Sequence, residues 1–258
     1  MTTPTTPTET EQNGTVTVAV TDGIATITFF HPKRNALPAT ILRQLVESID
    51  AAAANPEARV VILTSEGTGT FCAGASFDEL RAIRTAEEGT EFFSGFARVI
   101  LAMRRCPKII IGRVQGKAVG GGVGLVAATD YSFALPSASI RLSELAVGLG
   151  PFVVGPVIER RIGRAAFGAL AIDADWRDAE WAMQHGLYTR VMDTEAAMDS
   201  VLPALAHRLR GVNPDALAQT KRMLWEGTNH WETLLFERAA ISGRLALSEH
   251  TARAVGRD

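Results

Sequence analysis

A chain of 258 residues that is 47% hydrophobic is long enough to bury one large core, or a core with a small appendage. Its formal net charge of −2 at pH 7 gives no global attraction for nucleic acid or an anionic membrane surface, so any anion binding must come from local groups. Two cysteines without paired spacing (Cys72 and Cys106), five scattered histidines and no run near the roughly 18 apolar residues of a membrane span argue against a disulfide framework, a metal site and a membrane protein.

Residues 1–14 are rich in Thr, Pro and Glu, with neither an apolar h-region nor an arginine-rich amphipathic pattern, and read as a disordered tail of a cytoplasmic protein. Val16, Val18 and Val20 alternate with small or polar residues, and Ile24 to Phe30 follows a Thr21-Asp22-Gly23 step, which predicts a β-hairpin. Helical spacing of Ile41, Leu42, Leu45, Val46 and Ile49 predicts a helix over 38–54, which Asn55-Pro56 ends before an apolar strand over 60–64. Phe71-Cys72-Ala73-Gly74-Ala75-Ser76-Phe77 then places small residues after that strand, where backbone amides can face a ligand. The expected order repeats downstream. Ile109 to Val114 reads as a strand, and Gly116-Lys117-Ala118-Val119-Gly120-Gly121-Gly122-Val123-Gly124-Leu125 as a glycine turn opening into a helix. The first amides of such a helix lack intrahelical partners, so an anion, or an oxygen becoming one, is stabilised there; turns of this kind also occur where helix and sheet merely pack. Tyr131 to Leu135 is a further strand, and the alternation indicates an α/β core. From about Met198 the pattern becomes helical: Val201, Leu205 and Leu209, then 214–226, then 231–247 with Leu234, Leu235, Ala239 and Leu245 as apolar anchors. The basic pairs Arg104-Arg105, Arg160-Arg161 and Lys221-Arg222 read as solvated faces.

The two small-residue turns, in this order and spacing, resemble those of the crotonase (enoyl-CoA hydratase/isomerase) superfamily. Three more segments extend the resemblance over roughly 16–221: Pro32-Lys33-Arg34-Asn35-Ala36-Leu37, Ser143-Glu144-Leu145-Ala146-Val147-Gly148-Leu149, and Ala179 to Leu187 with its A-x-x-x-G-L ending. The resemblance implies a spiral of repeated β-β-α units over 15–196 and a helical C-terminal layer over 197–258 that mediates assembly into a homotrimer or hexamer. It implies an acyl-CoA substrate, with coenzyme A arriving as part of the substrate and no separate cofactor or metal, and neither nucleic acid nor membrane as partner.

By the same resemblance, the amides of Ala75 and Gly121 form an oxyanion hole, worth about 3 kcal/mol per well-placed donor. Glu144 falls on the position of the acid/base, although a lone glutamate at a strand end is by default a surface residue. Its apolar flanks, Leu142, Leu145, Ala146 and Val147, are expected to raise its pKa. Lys33, Arg34, Ala36, Ala73, Ser76, Phe77, Gly120, Gly124 and Ser143 are the expected contacts to substrate and coenzyme A. Two-glutamate hydratases carry a second glutamate where this chain has Gly124. Moving a double bond needs only one group that takes a proton and returns it two carbons away, so isomerisation of an enoyl-CoA is favoured. The alternatives are a one-glutamate hydratase, an acyl-CoA hydrolase or decarboxylase, and a silent CoA-ester-binding protein. Phe152, Val153 and Val154 are bulky where small residues are usual in the family, which implies a differently shaped acyl pocket.

Overall fold

The computed structural model describes residues 14–257, so the expected tail lies outside the described residues except for Gly14. In chain order the strands are β1 (Thr15–Thr21), β2 (Ile24–Phe30), β3 (Ala36–Leu37), β4 (Val60–Ser65), β5 (Gly74–Ala75), β6 (Ile109–Val114), β7 (Ala118–Val119), β8 (Tyr131–Ala134), β9 (Ile140–Arg141) and β10 (Arg190–Val191). The helices are α1 (Ala39–Ala54), α2 (Phe77–Ala82), α3 (Ala86–Arg105), α4 (Gly121–Ala128), α5 (Gly155–Asp173), α6 (Ala179–Gln184), α7 (Glu195–Arg210), α8 (Pro214–Leu224), α9 (Trp231–Leu245) and α10 (Glu249–Val255). None of the helices among these residues is long and apolar enough to cross a membrane.

The hairpin β1–β2 closes through Asp22 (φ 50°) and Gly23 (φ 75°), and two left-handed residues in succession give the turn whose twist matches that of the strands. The main sheet has six strands in the order β1-β2-β4-β6-β8-β10, and every pairing after the hairpin is parallel. Parallel strands are covered on both faces and read as unbroken apolar runs, and Val60 to Ser65 is buried throughout. Alternation divides these runs between two cores. Val61, Leu63 and Ile110 point into the large core shared with α1, α3 and α4. Val60, Ile62, Ile109 and Ile111 point the other way, onto Met198, Leu202 and Ala206 of α7. Full burial of each Met or Leu contributes about 1.5–3 kcal/mol, so the second face needs α7 as its cover.

After β2, β4, β6 and β8 the chain turns into a short strand before the next helix. The short strands form a second wall: β3 pairs with β5, β7 pairs with β9, and Cys72 bridges Ala118 between the two pairs. This is the spiral of β-β-α units. The expected C-terminal layer begins at Glu195 and packs within the same chain, α7 on the sheet and α9 on α3. Cys72 and Cys106 are both buried and free.

Candidate active site

Three segments of the short-strand wall meet edge to edge. The Cys72 amide donates to the Lys117 carbonyl (3.1 Å), the Val119 amide to the Cys72 carbonyl (2.9 Å) and the Gly120 amide to the Arg141 carbonyl (2.9 Å). The Phe71–Phe77 turn, the glycine turn and the strand leading to Glu144 are thereby stitched side by side. The fit leaves no room for side chains at the turns. A Cβ at Gly74 (φ 84°) would stand 2.7 Å from the Val119 carbonyl oxygen and 3.4 Å from the Gly121 nitrogen. Gly120 adopts φ 50°, ψ −115°, a conformation that only glycine tolerates well, and this bend aims the start of α4 at the cavity. The amides of Val123 and Gly124 return to the Gly120 carbonyl at 2.9 and 3.2 Å. The Gly121 amide, first in the helix, has no intrahelical acceptor and carries the positive end of the helix dipole.

Glu144 leaves β9 at the entrance to a 3₁₀ turn (Leu145–Val147), and its carbonyl accepts from the amides of Val147 (3.1 Å) and Leu149 (2.9 Å). Its carboxylate lies over Gly120, since a Cβ there would be 2.8 Å from Oε1. Oε2 is withdrawn from solvent without a hydrogen-bond donor among the described residues. Burial pushes the carboxyl from about 4.5 up to about 7, outweighing the opposing pull of the Glu144 and Ser143 amides. A carboxyl of this kind exists in both protonation states near neutral pH.

These groups face a cavity of about 610 Å³, its open mouth included, whose walls are otherwise mostly apolar. Ala73, Ala75, Phe77, Gly120, Gly121, Ser143 and Glu144 all line it, and Glu144 is its only ionisable side chain among the described residues. The other expected contacts lie outside. The Lys33 ammonium pairs with Asp78 on the surface, and Arg34 is exposed beside it at φ 56°. Ala36 is buried in β3 opposite Gly74. Ser76 is buried and caps α2, its hydroxyl accepting from the Glu79 amide at 3.4 Å. At Gly124 a Cβ would stand 2.6 Å from Val154 Cγ1, so this glycine is filled in by Val154 rather than open to the cavity.

Several cavity residues escaped the sequence reading. Phe93 and Phe96 come from α3, which opens with a capping box: Thr85 Oγ1 accepts from the Glu88 amide (3.1 Å) and Glu88 Oε2 from the Thr85 amide (3.3 Å). Thr85-x-x-Glu88 ahead of Phe92, Phe96, Val99 and Met103 was the available signal. Ser242, which reaches the cavity from α9, has no such signal, because its place depends on how α9 packs.

Residues 19–242 match the family model described as "Enoyl-CoA hydratase/isomerase". A probable enoyl-CoA hydratase of Bacillus subtilis is 27% identical over 211 residues, covering 81% of this chain and 81% of that protein. The mitochondrial methylglutaconyl-CoA hydratase of Mus musculus is 31% identical over 65% of this chain, which spans about half (53%) of that protein's length. The human mitochondrial Delta(3,5)-Delta(2,4)-dienoyl-CoA isomerase is 30% identical over 77% of this chain and 64% of its own. Among solved structures, an enoyl-CoA hydratase from Bacillus halodurans superposes with a TM-score of 0.87 over 93% of this chain and 98% of its own, at 20% identity, a likeness of fold alone.

Proposed function

The chain belongs to the enoyl-CoA hydratase/isomerase family, and on that premise we propose that it shifts the double bond of an enoyl-CoA thioester by single-carboxylate acid/base chemistry. Removing the C2 proton of a 3-enoyl thioester leaves a dienolate whose negative charge gathers on the thioester oxygen. In this reading the amides of Ala75 and Gly121 donate to that oxygen, and each well-placed donor contributes about 3 kcal/mol in the transition state. Glu144 accepts the proton from C2 and returns it to C4, which moves the double bond into conjugation with the carbonyl and restores the carboxylate. Coenzyme A enters as part of the substrate, and the proton balance closes without a separate cofactor.

The observation that carries this reading is the Glu144 carboxylate against Gly120, without a donor on Oε2, in a cavity with no other ionisable side chain among the described residues. Hydration requires water activated at C3 and a proton delivered at C2. With Val154 against Gly124, a second carboxylate has no space at that position. Hydration by Glu144 alone is the second reading, favoured by the hydratase names of the Bacillus subtilis and mouse relatives.

The test is incubation of the protein with 3-hexenoyl-CoA and, separately, 2-hexenoyl-CoA in deuterated water, with products read by mass. Interconversion of the two isomers without the added mass of water is expected, with deuterium entering only to the extent that protonated Glu144 exchanges with solvent before returning the proton. A hydrated product would move the assignment to the second reading, and free thiol would move it to hydrolysis.

A further inference from the structure

The cavity has a direction. Phe96 packs directly against the position a Cβ of Gly121 would take, and Phe93, one turn nearer the start of α3, faces the same space. A turn further, Gly89 of α3 meets Gly243 of α9 in backbone contact, and the neighbouring Ser242 lines the cavity. The chamber thus runs from the Gly121 amide along α3 to the α3–α9 crossing. Val153 and Val154 belong to its walls, and no Lys, Arg or His among the described residues lines it. Arg257 is not part of the lining; its two terminal nitrogens donate to the carbonyls of Ile83, Leu80 and Ala246, and its Nε is buried without an acceptor among the described residues.

Resting on the thioester reading above, we propose that this chamber accepts an uncharged hydrocarbon acyl group and rejects acyl groups that end in a carboxylate. A carboxylate carried into these walls loses its hydration and meets no cation there, and an unpaired buried charge is disfavoured far more strongly than a methyl group of the same size. It also enters beside Glu144, so two carboxylates share one poorly solvated space and repel each other. A hydrocarbon tail meets mostly aromatic and aliphatic surface along the path. The discrimination therefore comes from what the walls lack, and a single introduced cation should relax it.

Saturated thioesters separate binding from turnover. Calorimetric titration at pH 8 with hexanoyl-CoA, glutaryl-CoA and free coenzyme A is expected to give hexanoyl-CoA the tightest binding, with glutaryl-CoA about 100-fold weaker and no better than free coenzyme A. Glutaryl-CoA binding within tenfold of hexanoyl-CoA would overturn the proposal while leaving the thioester reading intact. If hexanoyl-CoA binds no better than free coenzyme A, the thioester reading fails and this proposal with it. In a Phe93→Arg variant whose circular dichroism matches that of the parent, the gap is expected to narrow at least tenfold through tighter glutaryl-CoA binding; an unchanged gap in that folded variant would overturn the charge argument.

Discussion

The proton shuttle proposed for Glu144 works best when its donor and acceptor forms are both populated, and burial, which lifts the Glu144 pKa to about 7, supplies that condition at neutral pH. The base form is required first, so kcat/KM for a 3-enoyl-CoA is expected to fall about tenfold per pH unit below 7 and to level off above it, measured as a pH–rate profile. Glu144→Gln keeps the shape and removes the exchange, so turnover is expected to drop about 10²–10⁴-fold while binding of a saturated acyl-CoA stays within a few-fold. The stability effect has the opposite sign to the activity effect. A carboxyl whose pKa is higher folded than unfolded contributes its stability below about 4.5 and loses it as pH rises through about 7, so Glu144→Gln should raise the melting temperature at pH 8 more than at pH 5. That Glu144, Ala75 and Gly121 line one cavity was anticipated through the resemblance, because each lies in a short contiguous motif that a sequence displays whole. Side-chain surroundings were less legible. Lys221 reads as half of a solvated basic pair, yet it is 1% exposed, because a helix reveals from sequence which residues share a face but not what that face meets.

At the scale of elements, the apolar runs 60–64 and 109–114 announce their strands, and the Asp22-Gly23 step its turn, since burial on both sheet faces and paired left-handed residues leave direct marks on composition. The α3 and α5 helices were not read, although α3 supplies Phe93 and Phe96 to the cavity. In α5 a non-helical Gly163 (φ 78°, ψ 157°) interrupts the period within 155–173, which divides the pattern that would have marked a helix. How α3 meets α9 depends on a pair of glycines far apart in sequence. A Cβ at Gly89 would lie 2.8 Å from the Gly243 Cα, and one at Gly243 would lie 2.5 Å from the Thr90 nitrogen and 2.7 Å from the Ala86 oxygen. In an open helix, Gly→Ala gains about 1 kcal/mol of propensity. Here the opposing atoms are backbone and cannot rotate away, and overpacking of this kind costs about 1–3 kcal/mol, so the clash outweighs the propensity. Gly243→Ala is expected to lower stability by up to about 2 kcal/mol in urea unfolding and, by displacing the neighbouring Ser242, to raise KM for a hexenoyl-CoA more than it lowers kcat. An unchanged unfolding midpoint would show that the two helices separate freely.

Over the whole molecule, two of the contacts that fasten the C-terminal helices to the spiral are chemically different. Near the cavity, Thr251 of α10 donates its hydroxyl to the Gly148 carbonyl (3.3 Å) just after the Glu144 turn, and Arg81 of α2 donates to the Val255 carbonyl (2.7 Å), so the chain end supports the site through neutral carbonyl acceptors. On the far side the fastening is an ion pair. Lys221 Nζ of α8 lies 2.8 Å from Asp130 Oδ2, with side chains 2% and 3% exposed. The surrounding groups satisfy both charges: Lys221 also donates to the Lys108 carbonyl (3.0 Å), while Asp130 accepts from the Ile110 amide (2.8 Å) and the Trp225 indole (3.2 Å). A buried pair of this kind adds little over a well-packed apolar pair, but removing one partner strands the other and costs about 3–5 kcal/mol. Lys221→Met is therefore expected to destabilise the protein by about that amount in urea unfolding, because Asp130 is left charged and buried. The double variant Lys221→Met, Asp130→Asn removes the stranded charge, and its single amide oxygen can keep one of the two donors, the Ile110 amide now on Oδ2 or the Trp225 indole now on Oδ1, so it should recover part of the loss. Equal losses in the single and double variants would mean that α8 is held by apolar packing, with the ion pair a bystander.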